Sequence, residues 1–488
     1  MSAPPARPNL LFIWTDQQRR DSMQCYGNRW VQVPNLNRLA GESFVFEHPY
    51  VTQPVCTPSR ASILTGQYPQ ATGVDRNNVP LPRDAKTLAE LVGEGYRCCN
   101  IGKWHLGDDV IAQHGFQDWI SIEDHYRKYY SKPEYLAVMS SYHEFLVKNG
   151  HKPYAEKEGK LIFGRQYAAK LEENLTKAHF CGVEGARWIR EHGKQPFVLN
   201  VNMLEPHSPY ISPLHGLYDA AKIPVGPTFM RPPPASASAF HRLHAEHYRQ
   251  ASKKKGGEDD PEGSGEMAWR ATATHYWGNV SLIDRSVGML LKALEETGQA
   301  DHTIVVFTSD HGEMMGEHSL MAKGCFYEQA VSVPLLMRVP WLSRQPHVVR
   351  GAVSSVDIVP TLLDLMGRPI PSAIQGRSRA GVLAARGSLE DNHAVVQWNG
   401  PDVVKNLAGP EAEIARISGQ PYRSLVHRGW KLNLCAADRG ELYDMNSDPC
   451  EEKNLLDDPK HRPRAREMAA RLRKWQAETG DTAPLPDV

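Results

Sequence analysis

The sequence of 488 residues predicts an α/β fold: a mostly parallel sheet flanked by helices, followed by a smaller C-terminal antiparallel sheet carrying one helix. Three observations predict it. Short continuous apolar runs recur along the chain and lead into polar clusters, as expected of strands buried on both faces. Helical patterns lie between those runs. From about residue 376 the runs become shorter and end in a polar helix, the pattern of a small α+β unit.

Taken in order, Leu10–Trp14 leads into Thr15-Asp16-Gln17, and Tyr96–Ile101 into Gly102-Lys103-Trp104-His105. Phe197–Met203 leads into Glu205-Pro206-His207, and Thr303–Phe307 into Thr308-Ser309-Asp310-His311-Gly312. Helices are expected at Thr87–Gly93, at Gly182–His192, and along the stripe Leu282, Val287, Leu290, Leu291 and Leu294, stopping near Gly298. In open α/β sheets ligands sit beyond the carboxyl ends of the strands. All four polar clusters should therefore meet along one edge.

Pro206–Gly265 breaks the pattern with Pro232-Pro233-Pro234, the small-residue run Ala235–Ala239 and Lys253-Lys254-Lys255-Gly256-Gly257. It is read as a long surface excursion, partly mobile, suited to a lid or an oligomer contact of a homodimer or homotetramer. After Val333–Val339, a helix over Asp357–Met366 closes a catalytic domain assigned to residues 1–375. Residues 376–488 form the small subdomain, with strands at Ala394–Gln397, Arg423–His427, Trp430–Leu434 and Glu441–Asp444 and a helix over Pro463–Thr479.

Composition narrows the function classes. Lys+Arg and Asp+Glu both number 56, so nothing in the overall charge favours nucleic acid or an acidic membrane surface as a partner. Attraction for an anion must come from a local cluster. The first residues contain no signal-peptide core, and no apolar run reaches membrane-spanning length, so a cytoplasmic location is expected. The eight cysteines lack CxxC spacing and read mostly as small buried apolar residues.

Cys56 stands in different company. In Cys56-Thr57-Pro58-Ser59-Arg60-Ala61-Ser62, Thr57 can cap a helix that has Pro58 at its first position and runs to Gly66. Cys56 would then sit where free N–H groups favour an anion and lower a thiol's pKa, with Arg60 one turn on. Alone, such a cysteine is more often structural. Asp16-Gln17 and Asp310-His311 add two carboxylates, an amide oxygen and an imidazole, a plausible shell for a divalent cation. Lys103, His105, His207 and Lys323 supply cations and proton donors.

These residues carry a family resemblance. Cys56–Arg60, continuing through Leu64-Thr65-Gly66, resembles the signature of the type I sulfatases, within the alkaline phosphatase superfamily. Gly102-Lys103-Trp104-His105-Leu106-Gly107 is similar to their second signature. The likeness extends to Ser309-Asp310-His311-Gly312-Glu313, to Lys323 and Tyr327-Glu328, and to Glu441-Leu442-Tyr443-Asp444 with Asp448-Pro449. It implies an alkaline-phosphatase-like fold and a Cys56 oxidised to formylglycine by a separate formylglycine-generating or sulfatase-maturing enzyme.

The resemblance also implies roles. A hydrated aldehyde at position 56 would attack sulfur, with a metal held by Asp16, Gln17, residue 56, Asp310 and His311. His207 or Lys323 would protonate the leaving alcohol. His105 would take a proton from the second hydroxyl to expel sulfate, and Arg60, Lys103 and Lys323 would hold the sulfate and the modified side chain. Asn77 matches a substrate-amide position of some relatives, ahead of Asn78. Calcium is the expected ion, with manganese or magnesium as alternatives.

Two departures stand out. Gln17 and His311 replace a commoner Asp and Asn, as in the choline-sulfatase and phosphonate-monoester-hydrolase branches, and they lean towards manganese. Ser332 stands where Arg is commoner. The leading expectation is a sulfuric ester hydrolase acting on a small-molecule or carbohydrate sulfate. A phosphonate monoester or phosphodiester hydrolase is the second, although Lys103 and His105 are both present. A non-catalytic anion-binding protein is the third.

Overall fold

A computed structural model of the chain describes residues 5–253, 265–400 and 407–488. The strands in chain order are β1 (Asn9–Asp16), β2 (Phe44–Tyr50), β3 (Arg97–Gly102), β4 (Asp118–Ser121), β5 (Ala155–Lys157), β6 (Lys160–Ile162) and β7 (Phe197–Pro206). They continue as β8 (Thr303–Ser309), β9 (Leu335–Arg338), β10 (His347–Ser354), β11 (His393–Trp398), β12 (Tyr422–His427), β13 (Trp430–Leu434) and β14 (Glu441–Asp444).

The main sheet has eight strands in the order β10-β2-β9-β8-β1-β7-β3-β4. Only β9 runs antiparallel to its neighbours, so the sheet is mostly parallel, as the sequence predicts. The second sheet, β11-β12-β13-β14, is antiparallel and is packed by the helix Arg462–Thr479. That helix stops at Gly480 in the left-handed region, as expected of a C-terminal glycine.

Strand β1 shows why the apolar runs are continuous. All of its residues are buried, and they alternate between two cores. Leu11 and Ile13 pack with the helices Lys177–His192 and Glu266–Glu296 on one face. Leu10, Phe12 and Trp14 pack with the helices Cys56–Thr65 and Ile358–Leu365 on the other. A strand covered on both sides has no polar face to show.

Several boundaries differ from expectation. The helix predicted at Gly182–His192 starts at Lys177, capped by the Thr176 side chain, and the helix ending near Gly298 starts at Glu266. The Thr87–Gly93 helix is a short turn, Leu88–Leu91, behind a Thr87/Glu90 capping box. Strands β4, β5 and β6 fall outside the expected runs, as do β2 and β10. Glu47, His48, Arg350 and Gly351 interrupt their apolar runs towards the sheet edge.

The predicted surface excursion is exposed or half-buried over most of 211–236 but embedded around 237–245. Its helix Ala239–Lys253 buries Phe240 and Leu243 against Phe326, Trp398 and Tyr422, and His241 pairs with Glu441 of β14 at 3.0 Å. This segment is thus a wedge between the two sheets. Residues 254–264, which include Lys254, Lys255, Gly256 and Gly257, lie outside the described residues. Among the described residues, no helix is long and apolar enough to cross a membrane.

Candidate active site

The four polar clusters follow strands that are neighbours, β8-β1-β7-β3. Asp16 closes β1, while Lys103, His207 and Asp310 come just after β3, β7 and β8. Gly102 lets β3 turn there. Its φ is +111°, and a Cβ would lie 1.9 Å from the Asn202 carbonyl oxygen, a space no other residue could use.

Cys56 is the first residue of the helix Cys56–Thr65, so Thr57 is not its cap and Pro58 is not its first residue. Val55 precedes the helix in extended conformation and offers no side-chain cap. The capping oxygen comes from elsewhere in the chain. The Thr57 N–H donates to Asn77 Oδ1 at 3.0 Å, and the Asn78 N–H donates to Thr57 Oγ1 at 3.2 Å. Asn77, expected at a substrate position, thus has its amide oxygen on the helix N-terminus.

Around Cys56 the expected groups converge. Its Sγ lies 3.3 Å from His311 Nε2, 3.8 Å from Asp16 Oδ1 and 4.0 Å from Lys103 Nζ. Arg60 organises the carboxylates: Nε donates to Asp310 Oδ2 at 2.8 Å and Nη2 to Asp16 Oδ2 at 3.1 Å. The Lys103 ammonium also bonds Asp16 Oδ2. The two cations therefore occupy the Oδ2 atoms, while each Oδ1 faces His311 Nε2, at 3.5 Å from Asp16 and 3.6 Å from Asp310.

Ligand atoms of Asp16, Cys56, Asp310 and His311 all lie within 4.8 Å of one another, and all four residues are buried. Two carboxylate oxygens and an imidazole nitrogen converging in this way suit a divalent cation. Gln17, at φ +71°, is oriented by three partners. Its amide nitrogen donates to Tyr210 Oη at 2.7 Å and to Glu313 Oε2, and its oxygen accepts from Lys323 Nζ. Gln17 and Lys323 therefore meet each other at the rim of the cluster. Ser332 Oγ bonds the Pro49 carbonyl.

The electrostatics follow from this packing. Burial alone would push the Asp16 carboxyl up, but Lys103, His207 and Arg60 outweigh it and hold it well below the usual carboxylate range. For the Cys56 thiol, burial and Asp16 push upward, yet Lys103, Lys323 and His311 bring it below its ordinary value. This is the reactive, electropositive setting expected of that cysteine.

Burial would lower His311, but Asp310 outweighs it and raises the ring, whereas His207 and His105 are both lowered. Burial and then Lys323 hold His207 well below its ordinary value, and its Nδ1 donates to the Ser208 carbonyl at 2.7 Å. Burial, Lys103 and Arg60 do the same to His105. His105 has φ +57°, its N–H bonds Asp109 Oδ1 at 2.8 Å, and its Nε2 meets Asn78 Oδ1 at 3.0 Å. Asn78, ranked behind Asn77 on sequence, is thus the neighbour of a site histidine.

Sequence reasoning missed three further residues. Glu313 accepts from both Gln17 and Tyr210, fixing the Gln17 amide. Tyr126 stacks on His105. Glu313 stands within the motif Ser309–Glu313, which does not show its task; Tyr126 and Tyr210 carry no local signal.

Comparison with known proteins agrees with this geometry. The family described as Sulfatase matches residues 8–368, and the one described as N-sulphoglucosamine sulphohydrolase, C-terminal, matches residues 316–478. An "Ulvan-active sulfatase" of Formosa agariphila is 27% identical over 497 residues, covering 98% of this chain and 82% of that protein. A structure solved in complex with its substrate D-glucosamine-2-N,6-O-disulfate superposes with a TM-score of 0.74 at 23% identity, covering 98% of this chain and 99% of that one. A phosphonate monoester hydrolase from Silicibacter pomeroyi superposes with a TM-score of 0.77 at 23% identity, covering 97% and 96%. The first family match spans β1 to the helix Ile358–Leu365, and so takes in the whole main sheet together with all the residues converging on Cys56: the chain belongs to the sulfatase family.

Proposed function

We propose that the protein is a sulfuric ester hydrolase that releases inorganic sulfate from a sulfated sugar or another small organic sulfate, with Cys56 converted to formylglycine by a maturing enzyme. One observation carries the reading. A buried cysteine at a helix N-terminus lies 3.3 Å from His311 and 3.8 Å from Asp16, within reach of Lys103. A structural cysteine has no need of such company. The sulfated-sugar substrates named for two of the similar proteins support a carbohydrate sulfate as the substrate class.

Asp16, Asp310 and His311, with residue 56 and the Gln17 oxygen, would hold one divalent ion. Calcium is our assignment, with manganese, which the imidazole favours, or magnesium as alternatives. When bound, the ion would polarise the sulfate oxygens and the hydrated aldehyde that attacks sulfur. Arg60 keeps both carboxylates turned towards that point and, being doubly paired, stays charged. Lys103 and Lys323 bind sulfate oxygens by charge-assisted bonds.

The proton for the leaving alcohol comes from Lys323 rather than His207. The His207 Nδ1 hydrogen is committed to Ser208, and the ring is held neutral. His105, neutral for the same kind of reason, accepts the proton in the step that frees sulfate.

The test is sulfate release from an aryl sulfate by matured protein, with the mass of the residue-56 peptide measured alongside. A cysteine mass in a fully active preparation overturns the proposal. A second reading, phosphonate monoester hydrolysis, draws on Gln17, His311 and the likeness to the Silicibacter pomeroyi enzyme. A much faster aryl phosphonate reaction would select it.

A further inference from the structure

We propose that Tyr126 is a positioning residue for hydrolysis, setting the ring plane of His105 and shielding His105 and Lys103 from water. This rests on the sulfatase reading above. Tyr126 lies after β4, outside every motif of the sequence. Its ring is parallel to that of His105, with centroids 3.7 Å apart and planes at 12°. The Lys103 ammonium is 5.6 Å from the centroid of the same ring. One side chain therefore touches both members of the Lys103/His105 pair.

Tyr126 is itself held in place. Arg165 Nη2 donates to its hydroxyl at 2.8 Å, and Arg165 Nε is bound to Glu123 Oε2 at 2.9 Å. Glu123 also takes the ammonium of Lys177, at the start of the helix Lys177–His192. A chain of contacts, Lys177 to Glu123 to Arg165 to Tyr126, thus runs from a core helix to the face of His105. Charge-assisted bonds make it stiff.

The other contacts of His105 leave this task open. Asp109 fixes its backbone N–H. Asn78 Oδ1 can only accept, so at 3.0 Å the His105 Nε2 carries the hydrogen and Nδ1 keeps the lone pair. Nδ1 is buried and makes no hydrogen bond among the described residues. A single hydrogen bond at Nε2 does not set the ring plane; the face of Tyr126 does. Burial first, and then Lys103, Arg60 and Arg165 as facing cations, keep the imidazole neutral against Asp16 as the attractive anion.

Two variants test this, Tyr126→Leu and Tyr126→Met, with Tyr126→Phe as the control that keeps the ring. In the unmodified chain, histidine ring NMR reads the effect without turnover, the His105 signal being assigned by its loss in His105→Asn. Loss of the ring should raise the His105 midpoint by about 1 unit or more, while Phe should leave it in place. In the active enzyme, Leu and Met should lower kcat by roughly 100-fold with KM little changed, and move the acid limb of the kcat profile upward. Phe should stay within about 3-fold of the parent. An unmoved His105 midpoint in both ring-less variants, or an equal kcat loss in Phe, overturns the proposal. Because the titration needs no turnover, its failure is separate from failure of the sulfatase reading.

Discussion

Two clusters of charge are buried in this molecule, and they are built differently. At the ends of β8, β1 and β3, Arg60 and Lys103 pair with one oxygen each of Asp16 and Asp310, and the second oxygens face His311 and Cys56. Between the main domain and β13, Lys431 lies 2.7 Å from both Glu328 and Glu451 and donates to the Phe326 carbonyl at 2.9 Å. Three oxygens surround its ammonium. The first cluster leaves ligand atoms facing a shared point, whereas the second closes on itself and ties β13 to the helix Glu328–Val331. Buried charge alone does not mark a site; directed, unspent valence does.

Stoichiometry separates them further. The catalytic cluster gathers Arg60, Lys103 and Lys323 around two carboxylates, which suits an incoming anion and a metal together. The junction has two carboxylates for one ammonium. Burial and the neighbouring Glu328 push Glu451 up to about 7, while Lys431 holds Glu328 below its ordinary value despite burial. With one ammonium between them, the two carboxyl groups titrate as a coupled pair.

The comparison breaks first at Cys56. Cys56→Ala should lower sulfate release by at least roughly 1,000-fold while the urea midpoint hardly changes, as the cysteine supplies chemistry and little packing. Arg60→Ala should destroy both turnover and stability, since it strands Asp16 and Asp310 without their shared cation. A destabilisation of about 3–5 kcal/mol by urea unfolding is expected.

Lys431→Met should lose a similar ~3–5 kcal/mol yet keep kcat close to the parent at temperatures where the variant is folded. A large kcat loss there would erase the distinction between the two clusters. Chelation of the metal should abolish turnover and lower the melting temperature, with calcium, manganese or magnesium added back to rank the ions. Lys431→Met should respond to the chelator as the parent does.

The smallest effect concerns pH. Glu451 has a folded pKa of about 7 against an ordinary 4.5, so its stabilising contribution is complete below pH 4.5 and fades as pH rises through 7. Glu451→Gln should flatten that decline, seen as a melting temperature that varies less than the parent's between pH 5 and 8. An unchanged slope would show that Glu451 does not titrate in this range.

Much of the site was legible because each main-sheet strand on which it depends announces itself twice. Leu10–Trp14 and Ile304–Phe307 are apolar throughout because both faces are covered, and Asp16 and Asp310 follow within three residues because strand ends face the ligand edge. Strand β10 lacks both signals at the sheet edge, where Arg350 is exposed. The excursion misled for a related reason. Proline and small residues read as a loop, but Phe240 and Leu243 are buried by contacts with residues such as Trp398 and Tyr422, far along the chain.

The sequence by itself determined the layered fold, the strand-end clusters and the cysteine at the centre of the proposed site, because burial on two faces and helix-terminus geometry are local properties of the chain. Only the tertiary structure decided that Asn77 caps the helix at Thr57, that Asn78 and Tyr126 flank His105, and that Glu313 orients Gln17. Those roles depend on which side chains from distant segments come to share a few ångströms, and a single hydrogen bond or ring contact leaves no periodic trace along a sequence.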